Sequence, residues 1–341
     1  MRFAFTQEQL SIRDSARALF KRECPPARVR DAWASVDGRV PGLWTHLAEL
    51  GVPGLLGPED EGGLGMTELE LVLVVEEQGR FAAPGPIGDT AAVAVPLLRD
   101  ASCPARARWL RALVTGEATA AVALGDAPYV MSADSADVLV LQRGDEVHAV
   151  ERANATLEAH ASIDGARRPF RVGWTGSLAT LVAKGTEGER ALTDAQDRGA
   201  VAAAAELVGL ARQMIDVTVA YVKTRHQFGK PVGSFQAVKH HLADAHIAVE
   251  MSAPAVYRAA WSLARKDPDA SVHASTAKAL ASDAATLAAR KALQCHGAIG
   301  YAFENDLHLW MKRAWALAAS WGDAAWHRER VARVLMQGGG K

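Results

Sequence analysis

The sequence predicts a mainly α-helical chain with one small β domain between two helical regions. Three textures along the 341 residues carry that expectation. Up to about residue 115 the chain reads as helical, with a capped helix start near the N-terminus and a buried-helix run further on. From about 118 to 188, short β-rich runs alternate with turn residues. From about 190 to 337 the chain is rich in alanine, the strongest helix former. The expected divisions are 1–115, 116–188 and 189–341.

In the first region Thr6, standing before Gln7, Glu8 and Gln9, is an N-cap with an acidic first turn. The run 67–77 mixes Leu, Val and Glu as a buried helix does. Stretches 83–86 and 100–104 are punctuation. In the second region the runs 120–124, 138–142, 146–150, 170–174 and 178–182 read as strands of an antiparallel domain. Residues such as Arg143-Gly144-Asp145 turn the chain between them. In the third region four long helices are expected near 192–225, 235–266, 269–296 and 304–336. Pro254 lies inside the second and should kink or divide it. The tail Gly338-Gly339-Gly340-Lys341 is expected to be disordered. No internal repeat is present.

Composition bounds the function. Hydrophobic residues make up 49% and charged residues 23%, which indicates a soluble globular protein with a sizeable core. A net charge of -1 gives no bulk attraction to nucleic acid or to an anionic membrane. Cys24, Cys103 and Cys295 follow no metal-ligand spacing and suit a reducing cytoplasm. No apolar run is long enough for a bilayer span. The opening Met1-Arg2-Phe3, soon followed by Gln7, Glu8 and Gln9, is not a secretory signal.

The most informative stretch is Arg225-His226-Gln227-Phe228-Gly229-Lys230-Pro231-Val232, followed by Phe235-Gln236. Leu207, Leu210, Met214, Val217 and Tyr221 precede it at helical spacing. Gly229 and Pro231 break the pattern, and Val238, Leu242 and Ala245 begin a second stripe. An Arg and a Gln at such a connection suit a diphosphate. The guanidinium offers charge-assisted bidentate hydrogen bonds, and the next helix N-terminus favours an anion. A capped turn carrying a surface Arg is the plainer reading of the same residues.

Arg-x-Gln-Phe-Gly-x-Pro-x-x-x-Phe-Gln resembles the signature of the acyl-CoA dehydrogenase family. Two further segments resemble it in the same order along the chain. Trp44-x-x-Leu47-Ala48-Glu49-Leu50-Gly51 leads into Pro58-Glu59-Asp60-Glu61-Gly62-Gly63-Leu64-Gly65. Gln294-Cys295-His296-Gly297-Ala298-Ile299-Gly300-Tyr301 is similar to the family's flavin-binding Gln-x-x-Gly-Gly-x-Gly, with Ala298 replacing a glycine. The resemblance implies helix–strand–helix order, a C-terminal four-helix bundle and an FAD held partly across a subunit interface. It makes Arg225, Gln227, Phe228, Gln294 and Gly297 the cofactor-binding candidates. Phe228 can equally be a core aromatic, and Gly297 and Gly300 an ordinary helix end. His226 and His296 read as structural or solvent-facing.

The chain also departs from the family. The Thr-Glu-Pro-x-x-Gly-Ser-Asp and Trp-x-Thr segments, which serve the flavin ring and the acyl-CoA, have no counterpart between Ala120 and Val140. The family's base, a Glu that removes the α-proton of the thioester, falls by counting at Gly199 or at Gly322. Asp323, one residue from the second position, is the candidate catalytic residue, and an N-cap is its alternative role. Glu206 is either a buried functional acid or a helix-surface Glu. Glu304 belongs to the start of the last helix. Trp310, Trp315, Trp321 and Trp326 are expected in the core with partial interface exposure.

Three functional readings follow. In the first, the chain is the short subunit of a heteromeric acyl-CoA dehydrogenase, completing a longer subunit's FAD site. The resemblance there extends to enzymes acting on CoA thioesters of steroid side chains, with an electron-transferring flavoprotein as acceptor. In the second, it is a self-sufficient homodimeric or tetrameric flavoenzyme (dehydrogenase, oxidase or monooxygenase) with Asp323 as base. In the third, it is a non-catalytic structural subunit.

Overall fold

A computed structural model describes residues 4–338 except Asp126. The expected tail beyond Gly338 lies outside the described residues. Six helices lead the chain: α1 (Gln7–Glu23), α2 (Pro26–Ala34), α3 (Leu43–Glu49), α4 (Glu68–Arg80), α5 (Val95–Arg99) and α6 (Pro104–Thr115). A π-helical stretch, Gly88–Ala94, runs into α5. Thr6 caps α1 in a reciprocal box with Gln9, and Thr67 caps α4 in the same way with Glu70. Two buried carboxylates tie α4 to its neighbours. Glu77 takes both forks of Arg17 on α1, at 2.6 and 2.9 Å. Glu76 accepts from the Tyr257 hydroxyl at 2.7 Å and pairs with Arg212.

The middle region contains β1 (Ala120–Ala123), β2 (Val130–Met131), β3 (Val138–Arg143), β4 (Glu146–Glu151), β5 (Thr156–Ala159), β6 (Pro169–Gly173) and β7 (Leu181–Ala183). They form two sheets, ordered β1-β3-β4-β7 and β2-β6-β5. Pairing is antiparallel except between β1 and β3, which run parallel. The first sheet is buried on both faces. Val138 and Val140 enter the main core, while Leu139 and Leu141 enter a second core with Val130 and Phe170. That explains the continuous apolar run in β3. β2 and β5 were not legible in the sequence because they are short and lack alternation. The strand expected from 178 begins only at Leu181; Leu178 is 82% exposed.

The last region contains α7 (Gly185–Thr224), the hairpin β8 (His226–Gln227) and β9 (Lys230–Pro231), α8 (Gln236–Ala264), α9 (Ala270–His296), α10 (Leu307–Ala319) and α11 (Ala324–Gly338). α9 packs against α7, α8, α10 and α11. Its buried face is largely alanine, so the helices approach closely. The expected helix 304–336 is two helices. Trp321 (φ 57°) and Gly322 (φ 85°) adopt left-handed backbone and stop α10. α8 passes through Pro254 undivided. Pro254 and Glu250, whose carbonyl loses its partner, both lie on the exposed face, where that loss is tolerated. Among the tryptophans, Trp310 is buried and Trp315 and Trp326 are partly exposed.

α4 and α7 cross at two glycines. A Cβ on Gly79 would overlap the Glu206 carbonyl, and one on Gly209 would overlap the Glu76 carbonyl. Gly209→Ala should therefore cost roughly 1–3 kcal/mol through overpacking, seen as a thermal midpoint lower by several degrees. Gly88→Ala, whose Cβ meets nothing within 4 Å, should leave the midpoint nearly unchanged.

Candidate functional site

Two separate places gather the candidate residues. The first is on the surface. Arg225 caps α7, and the hairpin that follows carries Phe228 at φ 55° and Gly229 at φ 78°. Two positive φ angles at a two-residue loop make a type I′ turn, in which Phe228 is a strained choice. The core reading of Phe228 is overturned: its ring is 90% exposed. Its partner contact is an edge-on approach to Phe235 at 6.1 Å. Gln294 and Gly297 are exposed at the end of α9. Gly297 has φ 65°, ψ -143°, a conformation suited to glycine, and the space where a Cβ would point is open.

Packing brings these two distant segments together. Tyr221, one turn before Arg225, stacks on His296 with ring centroids 4.5 Å apart and planes 11° apart. His296 is buried, and its Nδ1 lies 2.9 Å from the Ala292 carbonyl. Burial pulls its pKa below the usual value. His226 is exposed. The Arg225 guanidinium is exposed and makes no ion pair among the described residues. The arrangement offers a cation, an amide, a glycine backbone and an aromatic face, all directed outward. Such a set fits the phosphate and ring portions of a dinucleotide such as FAD. A cleft of about 520 Å³ is walled by Tyr221, His296, Lys21, Gln213, Glu304 and Trp310. Glu304 itself is exposed, in the turn before α10.

The second place is interior. A cavity of about 70 Å³ is lined by Gln78, Asp89, Gly199, Glu206, Arg313 and Trp321, with Arg167 and others at its margin. Its wall is ionic. Arg313 on α10, 2% exposed, donates Nη1 to Glu206 at 3.0 Å and to the Ala83 carbonyl at 3.3 Å. Its Nε pairs with Asp164, which is fully buried in the loop between β5 and β6. Burial alone would lower the Arg313 pKa. Asp164 and Glu206 outweigh it and hold the group firmly protonated. Glu206 is thus not a helix-surface residue: it is 8% exposed and bound to Arg313. Gly79 opposite its backbone is the sequence signal for that close packing.

Asp89, on the π-helical stretch, accepts from the Val122 N–H at 3.2 Å. Burial pushes its pKa up to about 6, against the opposing charge of Arg167. Asp89, half-buried, was not singled out in the sequence, since nothing local marks a carboxylate that folding will draw inward. Gln78 donates its amide to the Ala83 and Gly85 carbonyls, leaving Oε1 buried without a partner among the described residues.

Asp323 does not line this cavity. It is exposed, and its Oδ1 accepts from the Trp326 N–H at 2.8 Å, capping α11. Of the two roles its position left open, this is the one its contacts show. Lys278, fully buried, grips the same connection. Its Nζ donates to Ser282, to the Ala318 carbonyl at 3.1 Å and to the Gly322 carbonyl at 3.0 Å. Burial pushes its pKa down to about 7, opposed by the Asp323 charge. His327 Nε2 lies 2.8 Å from the Trp321 carbonyl. Burial, reinforced by Lys278, lowers its pKa to about 4.

Comparison with known proteins gives one consistent family. Residues 6–117 match the acyl-CoA dehydrogenase N-terminal domain, and residues 186–336 match the acyl-CoA dehydrogenase C-terminal domain. The chain is 35% identical over 309 residues to the acyl-CoA dehydrogenase IpdE2 of Mycobacterium tuberculosis, covering 90% of this chain and 91% of that one. Its fold is similar to a chain of the ChsE4-ChsE5 complex from the same species, with a TM-score of 0.88 and 22% identity over 98% and 99% of the two chains. It is equally similar to a chain of the Tcur3481-Tcur3483 steroid ACAD G363A variant, with a TM-score of 0.87 and 24% identity over 98% and 99%.

The interior site makes two predictions. Arg313→Met leaves Asp164 and Glu206 buried without their cation. It should cost about 3–5 kcal/mol, measured as a lower urea midpoint, and a second change, Asp164→Asn, should recover part of the loss. The His327 pKa lies below its ordinary 6.5 in the fold. Below that pH the unfolded chain binds a proton that the folded chain refuses. Stability should therefore fall as pH drops from about 6.5 toward 4. Thermal midpoints across that window should show the slope, and His327→Gln should flatten it.

Proposed function

The chain belongs to the acyl-CoA dehydrogenase family, oxidoreductases that act on CH–CH bonds, and we propose that it is the short subunit of a heteromeric, FAD-dependent member. On this reading it donates the adenine and diphosphate half of a cofactor site completed by a longer partner chain. The observation that carries the proposal is the separation of the two places just described. Arg225, Gln227, Phe228, Gln294 and Gly297 are all exposed, whereas the interior cavity measures about 70 Å³. Small-molecule and cofactor pockets run to about 300–1,000 Å³, so this cavity has no room for a flavin and an acyl group together. The exposure of the residues suited to a dinucleotide supports a site completed by a second chain.

FAD, when bound at the shared site, would accept the hydride from the β-carbon of the acyl thioester. This chain's residues bind and orient it: Arg225 pairs with diphosphate oxygens, and the Gly297 backbone allows close approach. Gly199 and Gly322 carry no carboxylate, so the partner supplies the base that removes the α-proton. The similarity to the ChsE4-ChsE5 complex and to a steroid ACAD supports a heteromer acting on a bulky acyl-CoA of the steroid side-chain type. An electron-transferring flavoprotein is the acceptor consistent with the family. A self-sufficient enzyme using Asp323 gains no support from that residue's exposed capping position.

The test is the FAD-to-chain ratio from flavin absorbance and protein mass. A ratio near zero for the chain alone, rising when a longer acyl-CoA dehydrogenase-like chain is co-expressed, is expected. A ratio near one in a stable homo-oligomer would sink the proposal. In the assembled complex, Arg225→Ala should weaken FAD retention about ten- to a hundredfold, as loss of a charge-assisted bond of roughly 1.5–3 kcal/mol requires. No change would favour a purely structural subunit.

A further inference from the structure

We infer that Trp321 closes this chain's own acyl cleft from within, and so assigns the thioester to the partner subunit's cleft. The inference rests on the family reading above and adds the residue responsible. The two positions at which the family keeps its base, Gly199 on α7 and Gly322 after α10, come together in the fold. The Trp321 indole, next in the chain to Gly322, lies against Gly199, while the space beside Gly322 is taken by Trp326 and His327. A Cβ built on Gly199 would fall 2.5 Å from ring atoms Cε2 and Cε3 of Trp321. No side chain fits at 199 while the indole is there, and no indole fits where the family's Glu would stand. The glycine and the tryptophan are one feature.

The indole is held in place at some cost. Trp321 has φ 57°, a left-handed conformation that disfavours a bulky residue. Around it the chain has assembled fixed donors. The Trp321 carbonyl accepts from Gln196 Nε2 at 2.7 Å and lies 2.8 Å from His327 Nε2. Lys278 Nζ holds the carbonyls on either side, Ala318 and Gly322. Asp323 caps the helix that follows. Donors from α7, α9 and α11 therefore converge on a connection of a few residues between α10 and α11. A tryptophan merely filling a core would not need its backbone anchored from three helices. What remains beside the ring is the cavity of about 70 Å³ lined by Asp89, Gln78 and Glu206. An apolar cavity on the order of 150 Å³ is enough to bind a benzene-sized ring, so removal of the indole should leave a pocket of ligand-binding size.

The experiment compares Trp321→Ala with the wild-type chain, each with two probes. Indole is titrated while the thermal midpoint is followed, and octanoyl-CoA binding is measured by calorimetry. The expected result is a lower midpoint for the variant, saturable restoration by indole in the variant alone, and octanoyl-CoA affinity at least tenfold higher than in wild type. Failure of indole to stabilise the variant would mean that the ring fills no preformed space. Indole binding without gained octanoyl-CoA binding would mean an ordinary core void, and would equally overturn the assignment. Should Trp321→Ala not fold, Trp321→Leu retains more volume and is read by the same two titrations. Gly199→Ala supplies an independent check. It should lower the midpoint by several degrees, with part of the loss recovered when Trp321→Leu is added, whereas strictly additive losses would contradict the contact. Neither readout uses FAD, so failure here leaves the flavin ratio of the chain and its proposed role intact, and failure there leaves this result standing.

Discussion

The buried cation of Arg313 is the constraint around which the chain is arranged. A guanidinium at 2% exposure is tolerable only if its charge and donors are met. Asp164 comes from the β region, Glu206 from α7, and the Ala83 carbonyl from the turn after α4. One side chain on α10 therefore joins all three regions of the sequence. The same network occupies the interior, so the space left beside it is small and polar.

Around that junction the helices are held at short range. The paired glycines at the α4–α7 crossing let two backbones touch, which places Glu206 opposite the end of α4. The alanine face of α9 brings α7, α8, α10 and α11 against it. Rigid helices then deliver the chemistry to their ends. Tyr221 near the end of α7 stacks on His296 at the end of α9, fixing the relative placement of Arg225 and Gly297. The strained Phe228 turn lies beside them. The packed bundle thus positions the exposed residues carried on its helix ends and on the hairpin.

The family motifs and most helices were legible in the sequence because their signals are local. Thr6 caps the helix it announces, the 67–77 run falls in and beside α4, and the Gly229 and Pro231 break falls where α7 gives way to α8. The last helix was read as continuous because Trp321 and Gly322 sit within an apolar pattern that outweighs a single glycine. The parallel pairing of β1 with β3 was not legible because strand partners are chosen by the sheet and its covering helices. Glu206 was ambiguous for a related reason. An acid in an apolar helix stretch shows its environment only when its partner is known.

By itself the sequence determined the mainly helical architecture, the Thr6 cap, the Arg225–Phe228 and Gln294–Gly297 segments, and the absence of a carboxylate at Gly199 and Gly322. Each depends on residues close along the chain. Only the tertiary structure decided that Arg313 meets Asp164 and Glu206, 149 and 107 residues away in sequence. It likewise decided that Asp323 caps a helix, that Asp89 and Gln78 face one small cavity, and that the Trp321 ring lies on Gly199. These outcomes depend on which distant surfaces exclude water together. That is a property of the packed chain, and neither residue type nor spacing encodes it.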